Sequence, residues 1–111
     1  MMAEQASVLG FTAVTSGGDA YDIAFPLHPE TRSGQAVSDI VSAALDAISG
    51  TLEHHGDLSD GDILQGLAMT MAIRARMVDA SAQTSRALMH DLVQSAFEAA
   101  GEARRYRAAR A

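Results

Sequence analysis

The stretch Ser59-Asp60-Gly61-Asp62-Ile63-Leu64-Gln65-Gly66-Leu67-Ala68-Met69-Thr70-Met71-Ala72-Ile73-Arg74-Ala75-Arg76-Met77-Val78 decides how this chain is read. Its start is a helix start. Ser59 caps, Asp62 stands at the capping-box position, and Asp60 and Asp62 favour the positive end of the helix dipole. Placed at 100° steps, the residues that follow form two apolar faces. One holds Leu64, Leu67, Ala68, Met71, Ala75 and Val78. The other holds Met69, Ile73 and Met77 beside Gly66. Gln65 and Arg76 separate them on one side, Thr70 and Arg74 on the other. A helix apolar on two faces needs neighbours on both. This one is expected to be the central element of the monomer or of a dimer interface.

Working outward, Val37, Ile40, Val41, Ala44, Leu45, Ile48 and Leu52 follow the i, i+3, i+4, i+7 rule, with Ser38, Asp39, Ser42, Asp46 and Glu53 on other faces. That predicts a helix over about 35–55. It ends at His54-His55-Gly56, where Gly56 suits a left-handed C-terminal residue and the histidines suit the negative end of the dipole. On the other side, Leu88, Met89, Leu92, Val93, Ala96, Phe97 and Ala100 predict a helix over about 82–103. Asp79, Ser81 or Thr84 is available to cap it, and an uninterrupted rod through that segment is the alternative. Alanine, 22 of 111 residues, favours helix and close packing.

The N-terminal part has another period. Tyr21, Ile23, Phe25 and Leu27 alternate with Asp22, Ala24 and Pro26, and Leu9, Phe11 and Ala13 alternate more weakly. Between them, Ser16-Gly17-Gly18-Asp19 is a hairpin turn, because adjacent glycines tolerate positive φ. Pro26 donates no ladder hydrogen bond and belongs at a strand edge or end. The expected fold is α+β and helix-dominated: an N-terminal β-hairpin (about 7–27), then three helices (about 35–55, 60–79 and 82–103), in one domain with a frayed basic tail at 104–111. Two strands are marginal in water, so the hairpin must pack on helices, pair with another chain, or both.

Composition narrows the function classes. The net charge of −6 opposes bulk attraction to nucleic acid or anionic lipid. Up to Asp62 the chain carries ten acids against Arg32 (net −9). From Ile63 it carries seven arginines against Asp79, Asp91, Glu98 and Glu102 (net +3). The two halves are expected to attract each other within the fold or across a dimer. Cysteine is absent, which excludes disulfides, thiolate metal sites and a cysteine nucleophile. The start, Met1-Met2-Ala3-Glu4-Gln5, has no basic n-region or apolar h-region, and no stretch is long enough for a membrane span. A cytoplasmic protein is the expectation.

The densest group of potential metal ligands is Glu53, His54, His55, Asp57, Asp60 and Asp62. Its spacing matches neither a His-Glu-x-x-His helix nor an EF-hand loop, and adjacent helical histidines point ~100° apart. A helix end, a turn and a capped helix start explain every residue, so no metal or other cofactor is expected. His28 and His90 are isolated, and no nucleophile elbow, phosphate loop or dinucleotide fingerprint occurs. Arg104-Arg105-Tyr106-Arg107 with Arg110 combines cations and a stacking ring. In an acidic chain it is better read as meeting the acidic half.

The functional expectation is a non-enzymatic association protein: an adaptor, assembly factor or small regulator acting as a homodimer. Its interface is expected at Met69, Ile73 and Met77 with Tyr21, Ile23 and Phe25, and its partners are itself and another protein. One alternative is a ligand-binding regulator with an apolar pocket between the second and third helices, lined by Met71, Leu88, Met89 and Leu92. A second is a small enzyme using His28, His54, His55 or His90.

Overall fold

A computed structural model describes residues 7–108. The order of elements is β1 (Val8–Val14), β2 (Asp19–Pro26), α1 (Gly34–His54), α2 (Asp60–Arg76), α3 (Ala82–Gly101) and β3 (Arg104–Arg107). The fold is α+β and helix-dominated, with the N-terminal antiparallel hairpin followed by three helices. Two compact units are distinguished. One comprises Met1–Ser38 with Asp91–Ala111, the other Asp39–His90, so α1 and α3 each contribute to both.

The hairpin closes as its glycines require. Gly18 has φ +95°, a conformation that L side chains rarely adopt. Thr15 and Asp19 bracket the three-residue loop. Thr15 N–H donates to the Asp19 carbonyl (2.8 Å), and Gly18 N–H donates to the Thr15 carbonyl (3.0 Å). The register then sets Leu9 opposite Phe25, Phe11 opposite Ile23 and Ala13 opposite Tyr21. Being in phase, these six fall on one face of the sheet, and all are half-buried. The weaker alternation in β1 therefore carries the same information as the clean one in β2.

The third strand is where structure departs from expectation. Arg104–Arg107 is not a frayed tail. It pairs antiparallel with Asp19–Asp22, giving the sheet order β1-β2-β3. Three arginines around one tyrosine carry no alternating apolar signal. The pairing depends instead on acidic partners 86 residues away in the chain, Asp19 above all. Arg110 lies outside the described residues, as do Glu4 and the rest of the N-terminal opening. Pro26 is the last residue of β2, opposite Val8. Because β3 stops at Asp22, the flank of β2 occupied by Ala24 and Pro26 has no strand beside it among the described residues.

The helices are set by local chemistry. Ser33 starts α1, its Oγ accepting from Ala36 N–H (3.0 Å). Ser59 and Asp62 form the full capping box of α2. Ser59 Oγ accepts from Asp62 N–H (3.1 Å), and Asp62 Oδ2 accepts from Ser59 N–H (3.2 Å). Such a cap contributes about 1 kcal/mol. The second and third helices are separate. α2 ends at Arg76, and Ser81 caps α3 by accepting from Thr84 N–H (3.0 Å). Gly56 does not take the left-handed conformation expected of it; among the described residues Gly18 is the one with positive φ. At the α1 end the His54 ring Nδ1 donates to the Gly50 carbonyl (2.9 Å) and His55 N–H to the Thr51 carbonyl (3.2 Å).

Candidate association surface

Within Asp39–His90, α2 leaves both of its apolar faces open. Met69 is 58% exposed, Ile73 55% and Met77 64%. On the other face Leu64 is 63% and Val78 50% exposed, while Leu67 and Ala75 are half-buried. Arg74 reaches along the exposed flank, its Nη1 3.2 Å from Met77 Sδ. Ile40 and Leu45 on α1 and Leu88 on α3 are exposed as well. Among the described residues the one buried apolar residue is Ala20, at 1%. A domain of this size ordinarily buries about two-thirds of its unfolded surface. Among the described residues many large apolar side chains are left exposed and the rest are at most half-buried.

The stripe of α2 that lines a cleft with α1 lies between these faces and takes Leu67 from one and Gly66 from beside the other. Ile63, Gly66, Leu67 and Thr70 line a mainly apolar cleft of about 380 Å³ with Ala47, Ile48, Thr51 and Leu52 of α1. Leu58, His55 and Asp62 stand at the connection. The cleft thus lies between the first and second helices. None of Met71, Leu88, Met89 and Leu92, the residues expected to line a pocket between the second and third, belongs to it. Met71, Leu88 and Leu92 are exposed and Met89 is half-buried. Thr70, taken from the helical wheel as a polar divider, is a cleft residue. Its hydroxyl donates back to the Gly66 carbonyl (2.8 Å), which satisfies its polarity within the helix.

His28 Nδ1 accepts from Glu30 N–H (3.1 Å), His54 is engaged at the α1 end, His55 is on the cleft, and His90 is exposed on α3. Among the described residues no group of three His, Asp or Glu side chains is placed to hold a metal ion.

In the sheet, the arginine-rich strand meets acids. Arg105 Nη2 lies 2.5 Å from Asp19 Oδ2, and Arg107 Nη1 lies 3.8 Å from Asp19 Oδ1. Arg107 also donates to the Gly17 carbonyl, against the turn. Arg105 sits over the Tyr21 ring (5.8 Å to its centroid) and Arg104 over Tyr106 (5.4 Å). Asp22 Oδ1 accepts from Thr12 Oγ1 (2.8 Å) and from the Tyr106 hydroxyl (3.0 Å), tying β1, β2 and β3 together on one face. Tyr21, Ile23 and Phe25, expected at an interface, are half-buried on the opposite face.

These contacts have a pH signature. The hydrogen bond from Arg105 holds the Asp19 carboxyl below its ordinary 3.8, desolvation opposes this, and the charges of Arg105 and Arg107 add to it. A carboxyl depressed in the folded state stabilises the fold above its unfolded value, and that contribution is lost as pH falls through the folded value. Tyr106 behaves in the opposite sense. Donating to Asp22 raises its phenol above 10.0, so its contribution persists below that value and is lost at more alkaline pH. Acidification below about pH 4 is therefore expected to loosen β3. The readout is amide exchange at Ala108, whose N–H donates to the Gly18 carbonyl (2.8 Å). Asp19→Asn should remove the acid step and raise exchange at neutral pH. An unchanged acid step in that variant would assign the effect to another group.

No helix among the described residues is long and apolar enough to cross a membrane. The chain matches no protein-family model, no curated protein and no solved structure.

Proposed function

We propose that this chain acts by association, as a homodimer with an adaptor, assembly or small regulatory role rather than a catalytic one. The observation that carries the reading is the open state of α2: Met69, Ile73 and Met77 form an apolar flank at helical spacing, each more than half exposed. Burying such a flank is worth roughly 25 cal/mol per Å² of apolar area. Leaving it in water forfeits that and invites aggregation, since soluble monomers rarely keep large contiguous apolar patches. A second copy presents the same flank, and an isologous contact covers both at once. Methionine suits such a surface because its unbranched thioether adapts to the facing chain.

The test is solution mass by light scattering at micromolar concentration. The expected result is twice the 11.6 kDa of one chain. A mass of 11.6 kDa across that range overturns the homodimer.

A further inference from the structure

The edges of the sheet are unlike. The outer edge of β3 is Arg104-Arg105-Tyr106-Arg107, and pairing it with itself would crowd like charges, a common defence of edge strands. The open half of β2 ends at Pro26, which has no N–H to offer. β1 has neither defence. Val8-Leu9-Gly10-Phe11-Thr12-Ala13-Val14 runs seven residues without a charge or a proline.

The direction of its free backbone groups follows from the ladder. Leu27 N–H donates to the Ser7 carbonyl (2.9 Å) and Thr15 N–H to the Asp19 carbonyl (2.8 Å). Antiparallel bonding alternates, so the odd-numbered residues of β1 bond to β2. Val8, Gly10, Thr12 and Val14 therefore aim their N–H and C=O groups at the outer edge, where no strand lies among the described residues. All four are exposed, Val8 at 60% and Val14 at 62%.

We propose that this edge pairs with the β1 edge of a second copy, antiparallel across a two-fold axis at Phe11, giving one six-stranded sheet. The inference rests on the homodimer reading and adds where the two backbones meet. The occupant is a second copy because the edge is complementary to itself. It is uncharged, so reversal brings no like charges together. Centring on Phe11 is the register that pairs all seven residues, Val8 with the partner's Val14 and Gly10 with the partner's Thr12. Those are hydrogen-bonded positions. Phe11 faces its own counterpart at a non-hydrogen-bonded position, where side chains approach most closely and Cα atoms stand about 4.5 Å apart. Two aromatic rings there gain contact beyond their buried area. The half-buried Leu9 and Ala13 continue the same face across the junction.

The absence of native cysteine makes the register directly readable. Single cysteines are introduced by Leu9→Cys, Gly10→Cys, Phe11→Cys and Thr12→Cys, and each full-length variant is oxidised at micromolar concentration. Only Phe11→Cys brings a residue against itself within disulfide reach; the others are offset beyond the ~7 Å limit. Disulfide-linked dimer should be at least about tenfold more abundant for that variant. Because Phe11 is half-buried, a second arm mixes Gly10→Cys with Thr12→Cys, which should cross-link to each other and not to themselves. A third uses Gly10→Pro, which removes an outward donor while leaving the β1–β2 ladder intact, and should shift the dimer–monomer midpoint to at least about tenfold higher concentration; an unshifted midpoint overturns the edge pairing. Dimer mass with no cross-link at Phe11 and none in the mixed pair overturns the edge pairing and leaves the homodimer standing. Monomer mass in the parent protein overturns both.

Discussion

The double variant Met69→Asp, Ile73→Asp is expected to be a folded monomer. Both residues are more than half exposed in the single chain, so aspartate there loses little intrachain packing. Substitutions at such sites change the stability of the chain by about 0.5 kcal/mol or less each. Across a dimer interface the same change is severe. Two carboxylates per copy, one turn apart on one flank, would meet their symmetry mates in a desolvated patch. Truncating a central interface residue costs about 2 kcal/mol or more, and burying unpaired charges exceeds truncation. A weakening of at least about 100-fold in the dimer constant is expected. Light scattering should fall from twice 11.6 kDa to 11.6 kDa with the helical circular dichroism retained. Retained dimer mass would move the interface away from this flank. Loss of helical signal would make the flank part of the folded core.

Ala20→Leu is expected to have the largest effect on the sheet. Ala20 lies between Val14 of β1 and Tyr106 of β3 in register, and it is 1% exposed. The Tyr106 hydroxyl is fastened to Asp22, two residues along the same face, which keeps the ring beside Ala20. Three added carbons have no free space there. Overpacking of this kind costs about 1–3 kcal/mol, and each kcal/mol lowers the melting temperature of a domain this size by roughly 4–8 °C. Docking of β3 should fail first. The Ala108 amide should lose protection, and trypsin should cleave after Arg104, Arg105 and Arg107, whose backbone the ladder otherwise shields. Parent-like protection and cleavage would show that the third strand does not depend on this contact.

Elements defined by near neighbours were legible residue by residue. The capping box at Ser59 and Asp62 is visible as two residues three apart, because the geometry of a helix start is local. The turn at Gly18 is legible for the same reason, since positive φ is a property of one residue. The face shared by Leu9, Phe11, Ala13, Tyr21, Ile23 and Phe25 follows from the two-residue period once the turn is placed. The Gly56 conformation did not follow, because the chain leaves the helix without a left-handed residue. The cleft between the first and second helices was not read from the sequence. A helical wheel ranks Thr70 by its hydroxyl, whereas the hydroxyl is satisfied within the helix and the residue lines the cleft.

What the sequence determined by itself is the set of local elements: the tight hairpin, the helical periods, and a capped second helix apolar on opposite faces; the break between the second and third helices came from the structure. Each of those local elements depends on residues within a few positions of one another, so periodicity and capping suffice. Only the tertiary structure decided that Arg104–Arg107 becomes a strand and that β1 keeps one edge free. Strand pairing is a contact between distant segments. The contacts that place β3 reach Asp19, Ala20 and Asp22, which no window around residue 105 contains.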